Sequence, residues 1–143
     1  MRRDSFVESN KFNYAIARIT VAFVWLYHGL VPKLLGPDAD EMAMNMAAGF
    51  NNDQATKIAY LGGAGEILFG LVLLVFWKHR WPLVVSAFSM VALLVFVIAF
   101  QPNLTTAAFN PVTTNISVFA LSILAYRMGK VSGTVASKDL EER

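Results

Sequence analysis

Gly62-Gly63-Ala64-Gly65-Glu66-Ile67-Leu68-Phe69-Gly70 decides how this chain is read. It lies inside an apolar run from about Ile58 to Trp77. A helix of that length crosses a ~30 Å hydrocarbon core. Glu66 falls near its middle, where a charge costs at least ~2.5 kcal/mol. Either another group must face that carboxyl or it must hold its proton.

The surrounding composition agrees with a membrane protein. The 143 residues are 56% hydrophobic and only 15% charged, against about 25% charged in soluble domains. The net charge is +2, too small to suggest nucleic acid. Cysteine is absent, which excludes disulfides, thiol catalysis, iron–sulfur clusters and thiolate zinc sites. The polar start, MRRDSFVESNKFNY, is too long and leads into too long an apolar run for a cleaved signal peptide. The first apolar run is therefore read as a retained span.

Four apolar runs follow in order, over about 14–35, 58–77, 82–100 and 110–126. Residues 1–12 form a polar N-terminal segment, 13–127 the four-span membrane domain and 128–143 a polar tail, frayed or helical on the surface from Ser132 to Arg143. Gly36-Pro37-Asp38 breaks the first run. Beyond it, Met42-Ala43-Met44-Asn45-Met46 reads as a short amphipathic outer helix, its methionines on the mouth of the bundle. A soft-metal site there is the weaker reading, and no metal is expected. Trp77-Lys78-His79-Arg80-Trp81-Pro82 is a basic turn between interfacial tryptophans. Pro82 and Pro111 suit the first turns of the third and fourth runs. No run alternates with period two, so the expected fold is all-α: a four-helix antiparallel transmembrane bundle. Of the 12 Lys and Arg, Lys33 and Lys57 fall on one side and the other ten on the opposite side. That asymmetry places both termini in the cytoplasm.

Depth brings candidate residues together. His28 precedes the outer end of the first run by about as much as Glu66 follows the start of the second. At 1.5 Å per residue both lie ~10–12 Å deep. Thr113, Thr114 and Asn115 of the last run enter the same layer. Arg18, Val21, Trp25, His28, Gly29 and Pro32 share one helical face, as do Ala59, Gly62, Gly63, Glu66, Phe69 and Gly70 on the second run. The expected pocket has His28 facing Glu66, with Asn115 and Lys33 completing it and Trp25 and Phe69 as walls. Arg18, near the cytoplasmic end, is expected to snorkel. The bland reading takes Glu66 as neutral glue between helices, and Asn110 and Asn115 as ties of the last helix. A haem held by His28 and His79 is disfavoured, because the two belong at different depths.

Trp25-Leu26-Tyr27-His28-Gly29-Leu30-Val31-Pro32-Lys33, Asp40-Glu41, Gly65-Glu66-Ile67 with Gly70, and Phe109-Asn110-Pro111-Val112-Thr113-Thr114-Asn115 resemble the DoxX-like family of small bacterial four-helix membrane proteins. The resemblance covers roughly Phe12 to Arg127. It implies a multi-pass protein of the bacterial inner membrane. Relatives include subunits of a thiosulfate:quinone oxidoreductase and segments fused behind short-chain-dehydrogenase-like domains. With no cysteine and no fused nucleotide domain, a redox role here needs a bound cofactor or a partner.

Three functions are consistent with these residues. The first is an accessory, redox-associated subunit that binds a quinone or other small lipophile, beside a partner oxidoreductase or a second copy. His28, Lys33 and Asn115 then donate to carbonyls and Glu66 handles a proton. The second is a membrane anchor or adaptor for a partner enzyme. The third is a small transporter or proton path. No catalytic set is legible, so the chain is read as an accessory and not as an enzyme on its own.

Overall fold

The computed structural model describes the backbone of residues 2–108 and 110–141 and the side chains of 7–108 and 110–129. Phe109, part of the family-like motif, and the tail side chains beyond 129 lie outside the described residues. The described residues are all-helical. Five helices follow in order: α1 (Arg2–Gly29), α2 (Ala39–Ala47), α3 (Asn52–Val75), α4 (Trp81–Phe100) and α5 (Pro111–Glu141). A π-helical turn, Leu30–Leu34, extends α1, and a 3₁₀ turn, Pro102–Thr106, follows α4.

Local chemistry explains the boundaries. Asn51 accepts from Gln54 N at 2.9 Å and Gln54 Oε1 accepts from Asn51 N at 3.0 Å. This capping box starts α3 well before the apolar run, at Asn52 and not near Ile58. Pro82 stands in the first turn of α4, as its sequence position implies. Asn110 Oδ1 accepts from Thr113 N at 2.9 Å and so caps α5. Pro32 lacks the N–H that a regular α-turn needs. The backbone widens there, and Leu35 N reaches Leu30 O at 2.9 Å. Gly36 then adopts φ 139°, and Asp38 caps α2 through Asp40 N.

Helix α1 packs on α3 and α5, and α4 packs on α5. The core runs through Val21, Trp25, Leu73, Leu83, Met90, Val118 and Ala125. Contact between α1 and α3 is backbone-close. A Cβ placed on Gly29 would stand 2.5 Å from Gly63 O, and one on Gly70 2.7 Å from Leu26 Cγ. These glycines let the two helices approach as the small-residue face of α3 suggests.

Arg18 departs from its expected place. It does not snorkel; it is fully buried. Its guanidinium donates to Leu73 O (2.7 Å), Phe76 O (2.7 Å) and His79 O (2.8 Å), and also to the Tyr14 hydroxyl. These carbonyls belong to the last turn of α3 and the turn beyond it, where helix geometry leaves acceptors unpaired and the dipole favours a cation. A planar five-donor head can serve several of them at once. Tyr14 Oη in turn donates to Trp77 O at 2.7 Å.

The segments α1 from Val7 through Leu34, α3 and α4 are long and apolar enough to cross a membrane. Among the described residues α5 is not one of these segments, and Thr113, Thr114, Asn115, Ser117 and Ser122 dilute the apolar content of its first half.

Candidate functional site

The α1–α3 crossing sets the site. Gly29 against Gly63 brings the π turn of α1 alongside the middle of α3, and the widened turn carries Lys33 there. Lys33 Nζ donates to Glu66 Oε1 at 2.7 Å. It also reaches Glu41 Oε1, from α2, at 3.4 Å. All three side chains are mostly buried, at 13–15% exposure. A single ammonium thus stands between two carboxylates. Glu66 Oε2 is buried and has no hydrogen-bond partner.

A cavity of about 360 Å³ opens beside this triad. His28, Lys33 and Pro32 line it from α1 and its π turn, Glu66 from α3, and Asp38, Asp40, Glu41 and Met44 from α2 and its cap. Leu93 and Val97 of α4, Leu104 and Ala107 after it, and Pro111, Thr114 and Asn115 of α5 supply the remaining walls. One side is carboxylate-rich and the other is largely apolar. Four of the five sequence-derived candidates, His28, Lys33, Glu66 and Asn115, therefore share one cavity. Trp25 lines a smaller void of about 30 Å³ that also touches His28, Glu66 and Asn115.

Two details differ from expectation. The direct partner of the Glu66 carboxylate is Lys33; no hydrogen bond to His28 occurs among the described residues. The imidazole is exposed at the rim. His28 and Glu66 line the same cavity, but Lys33, carried on the π turn, is the residue that reaches the carboxylate. Trp25 and Phe69 do not form an open slot. Their rings pack edge-to-face with centroids 4.8 Å apart. Trp25 Nε1 donates to Ser86 Oγ at 3.0 Å, and Ser86 Oγ lies 3.0 Å from Ser122 Oγ, itself 2.8 Å from Val118 O. This buried chain ties α1, α4 and α5 together.

Sequence reasoning missed Glu41, Asp38 and Asp40 as cavity residues. The signal was present: Asp38 is a cap residue, and a helix starting after it puts Glu41 and Met44 on one face. Thr113 is exposed and does not enter the cavity, whereas Thr114 does. In the methionine segment, Met44 lines the cavity and Met46 is 44% exposed. Among the described residues no group of His, Cys, Asp and Glu is arranged to hold a metal ion.

Three helices long and apolar enough to cross a membrane, in described residues that are all-helical, point to an integral membrane protein. The family profile described as the DoxX-like family matches residues 22–123. The chain belongs to the DoxX-like family. No curated protein and no solved structure matches it.

Proposed function

We propose that this protein is an accessory, redox-associated subunit of the bacterial inner membrane whose intramembrane cavity binds a quinone or similar small lipophile. The observation that carries this reading is the cavity itself. Its volume of about 360 Å³ falls in the ~300–1,000 Å³ range of small-molecule sites, which are mostly apolar with a few convergent polar groups. Leu93, Val97 and Leu104 suit the ring and the start of a tail. His28, Asn115 and the third proton of Lys33 can donate to carbonyl oxygens. Glu66, beside them, can accept or return a proton. When bound, the quinone supplies the two-electron chemistry that the side chains lack.

The membrane arrangement proposed with it is a four-span bundle with both termini in the cytoplasm. Helix α5 serves as the fourth span because Thr114, Asn115 and Ser122 turn inward, although Thr113 and Ser117 stay exposed. Ser122 is fully buried and Thr114 and Asn115 face the cavity, while Ile116, Ile123 and Leu124 are exposed. Tyr14, Trp77 and Gly129 meet at one end of the bundle. That end carries most of the basic residues, as the cytoplasmic side should. Lys33, α2 and the capped start of α3 occupy the other.

The test is quinone content and binding. Protein purified in mild detergent should carry extractable quinone, or bind a short-chain quinone saturably. Glu66→Gln and Asn115→Leu should each weaken binding about tenfold, the loss of one charge-assisted or neutral hydrogen bond in a buried site. Protein that holds no quinone, and shows no saturable binding, leaves the anchor-or-adaptor reading in its place.

A further inference from the structure

We infer that α2 is a hinged lid over the cavity, latched by the Glu41–Lys33–Glu66 triad. The inference rests on the cavity described above as the compartment that is covered, and not on which lipophile occupies it.

Three observations converge. First, Asp40, Glu41 and Met44 of α2, with its cap residue Asp38, form one wall of the cavity. Helix α2 lies against α3 and reaches α4, so it covers the space between them. Second, the two described residues with left-handed backbone are Gly36 (φ 139°) and Gly49 (φ 100°), one on either side of α2. Neither has an atom within 4 Å of a notional Cβ. Open surroundings and glycine freedom suit residues that absorb large backbone changes. Third, the side-chain ties holding α2 down are long, and the short tie, Asp38 N to Pro32 O at 2.9 Å, lies at the hinge end beside Gly36. Lys33 to Glu41 is 3.4 Å, Asn45 Nδ2 to Ala55 O is 3.4 Å, and Thr56 Oγ1 to Met42 Sδ is 3.8 Å. Lys33 to Glu66, within the wall, is 2.7 Å.

The unequal contacts of Lys33 make the latch. Lifting α2 breaks the 3.4 Å contact and leaves the 2.7 Å pair intact. The opened lid then leaves no unpaired ammonium in the wall. It exposes the cavity from the end of the bundle where α2 lies. A ligand atom that accepts the Lys33 proton now directed at Glu41 competes with that carboxylate directly, so occupancy and lid position are coupled.

The absence of cysteine makes the experiment direct. Thr114→Cys places one thiol in the cavity, and its reaction rate with an uncharged maleimide reports opening. Adding Glu41→Gln should speed labelling about fivefold, the population shift of one weak ion pair. Adding Glu66→Gln should leave the rate unchanged or lower it, because Lys33 is then held by Glu41 alone. Loss of either carboxylate favours the thiolate similarly, so the opposite response of the two variants isolates the lid. Equal acceleration by both, or by neither, overturns the proposal. Should Glu41→Gln not fold, hydrogen exchange on the unaltered chain decides. Amides of Met42–Ala47 must exchange at least about tenfold faster than those of Ala59–Gly70. Equal protection refutes the lid. None of these readouts uses quinone, so a failed quinone titration with a positive labelling result separates the two readings.

Discussion

Replacing Gly29 by alanine tests the geometry on which the site depends. The added Cβ would lie 2.5 Å from Gly63 O, 2.9 Å from Ile67 Cγ1 and 3.0 Å from Glu66 Cβ. The nearest of these is backbone and cannot rotate away. Restoring 3.4 Å, where ordinary contact begins, from 2.5 Å requires about 0.9 Å of separation between α1 and α3. Overpacking of this kind costs about 1–3 kcal/mol, or a fall of roughly 3–10 °C in melting temperature for a chain of this size. The same shift moves Lys33 relative to Glu66, so the 2.7 Å pair loosens and ligand binding weakens with stability. Tryptophan fluorescence during heating in mild detergent measures the melting. Gly65→Ala is the matched control, since its Cβ meets nothing within 4 Å; it should be neutral or slightly stabilising. If Gly29→Ala melts at or above the temperature of Gly65→Ala, the backbone-close crossing is refuted.

Other residues give separate outcomes. Lys33→Met alone should destabilise by about 2–3 kcal/mol, leaving two buried carboxylates unmatched, whereas Lys33→Met with Glu66→Gln should recover at least half of that in the same melt. Arg18→Met should lower stability by about 3 kcal/mol, with limited proteolysis opening first at Phe76–Arg80; Arg18→Lys should restore only part, because one ammonium cannot span three carbonyls. Ser86→Ala should cost about 1 kcal/mol and shift Trp25 emission as the indole loses its acceptor. Identical emission spectra before and after that change would contradict the buried Trp25–Ser86 bond.

Much of this arrangement was legible because membrane chemistry leaves few choices. Long uncharged runs can only be helices, and a carboxyl at mid-depth demands a partner. Pro82, Pro111 and Asn110 mark helix starts in any context. The layer containing His28, Glu66 and Asn115 follows from counting residues along helices of known rise. The π turn at Pro32 was not legible, since widening depends on how α1 meets α3, and it is this turn that gives Glu66 to Lys33 and leaves His28 at the rim. Arg18 was misread for a similar reason. Its position near a helix end suggests solvent, but the end of α3 folds over it and supplies carbonyls.

Composition and periodicity alone therefore determined an all-helical membrane chain with a buried acid and the residues level with it, because burial and backbone satisfaction in lipid act on each segment separately. Which base meets that acid, how α2 comes to wall the cavity and why Arg18 is buried were decided only in three dimensions. Each depends on hydrogen bonds and steric contacts between segments far apart in sequence, and those distances exist only once the helices have packed.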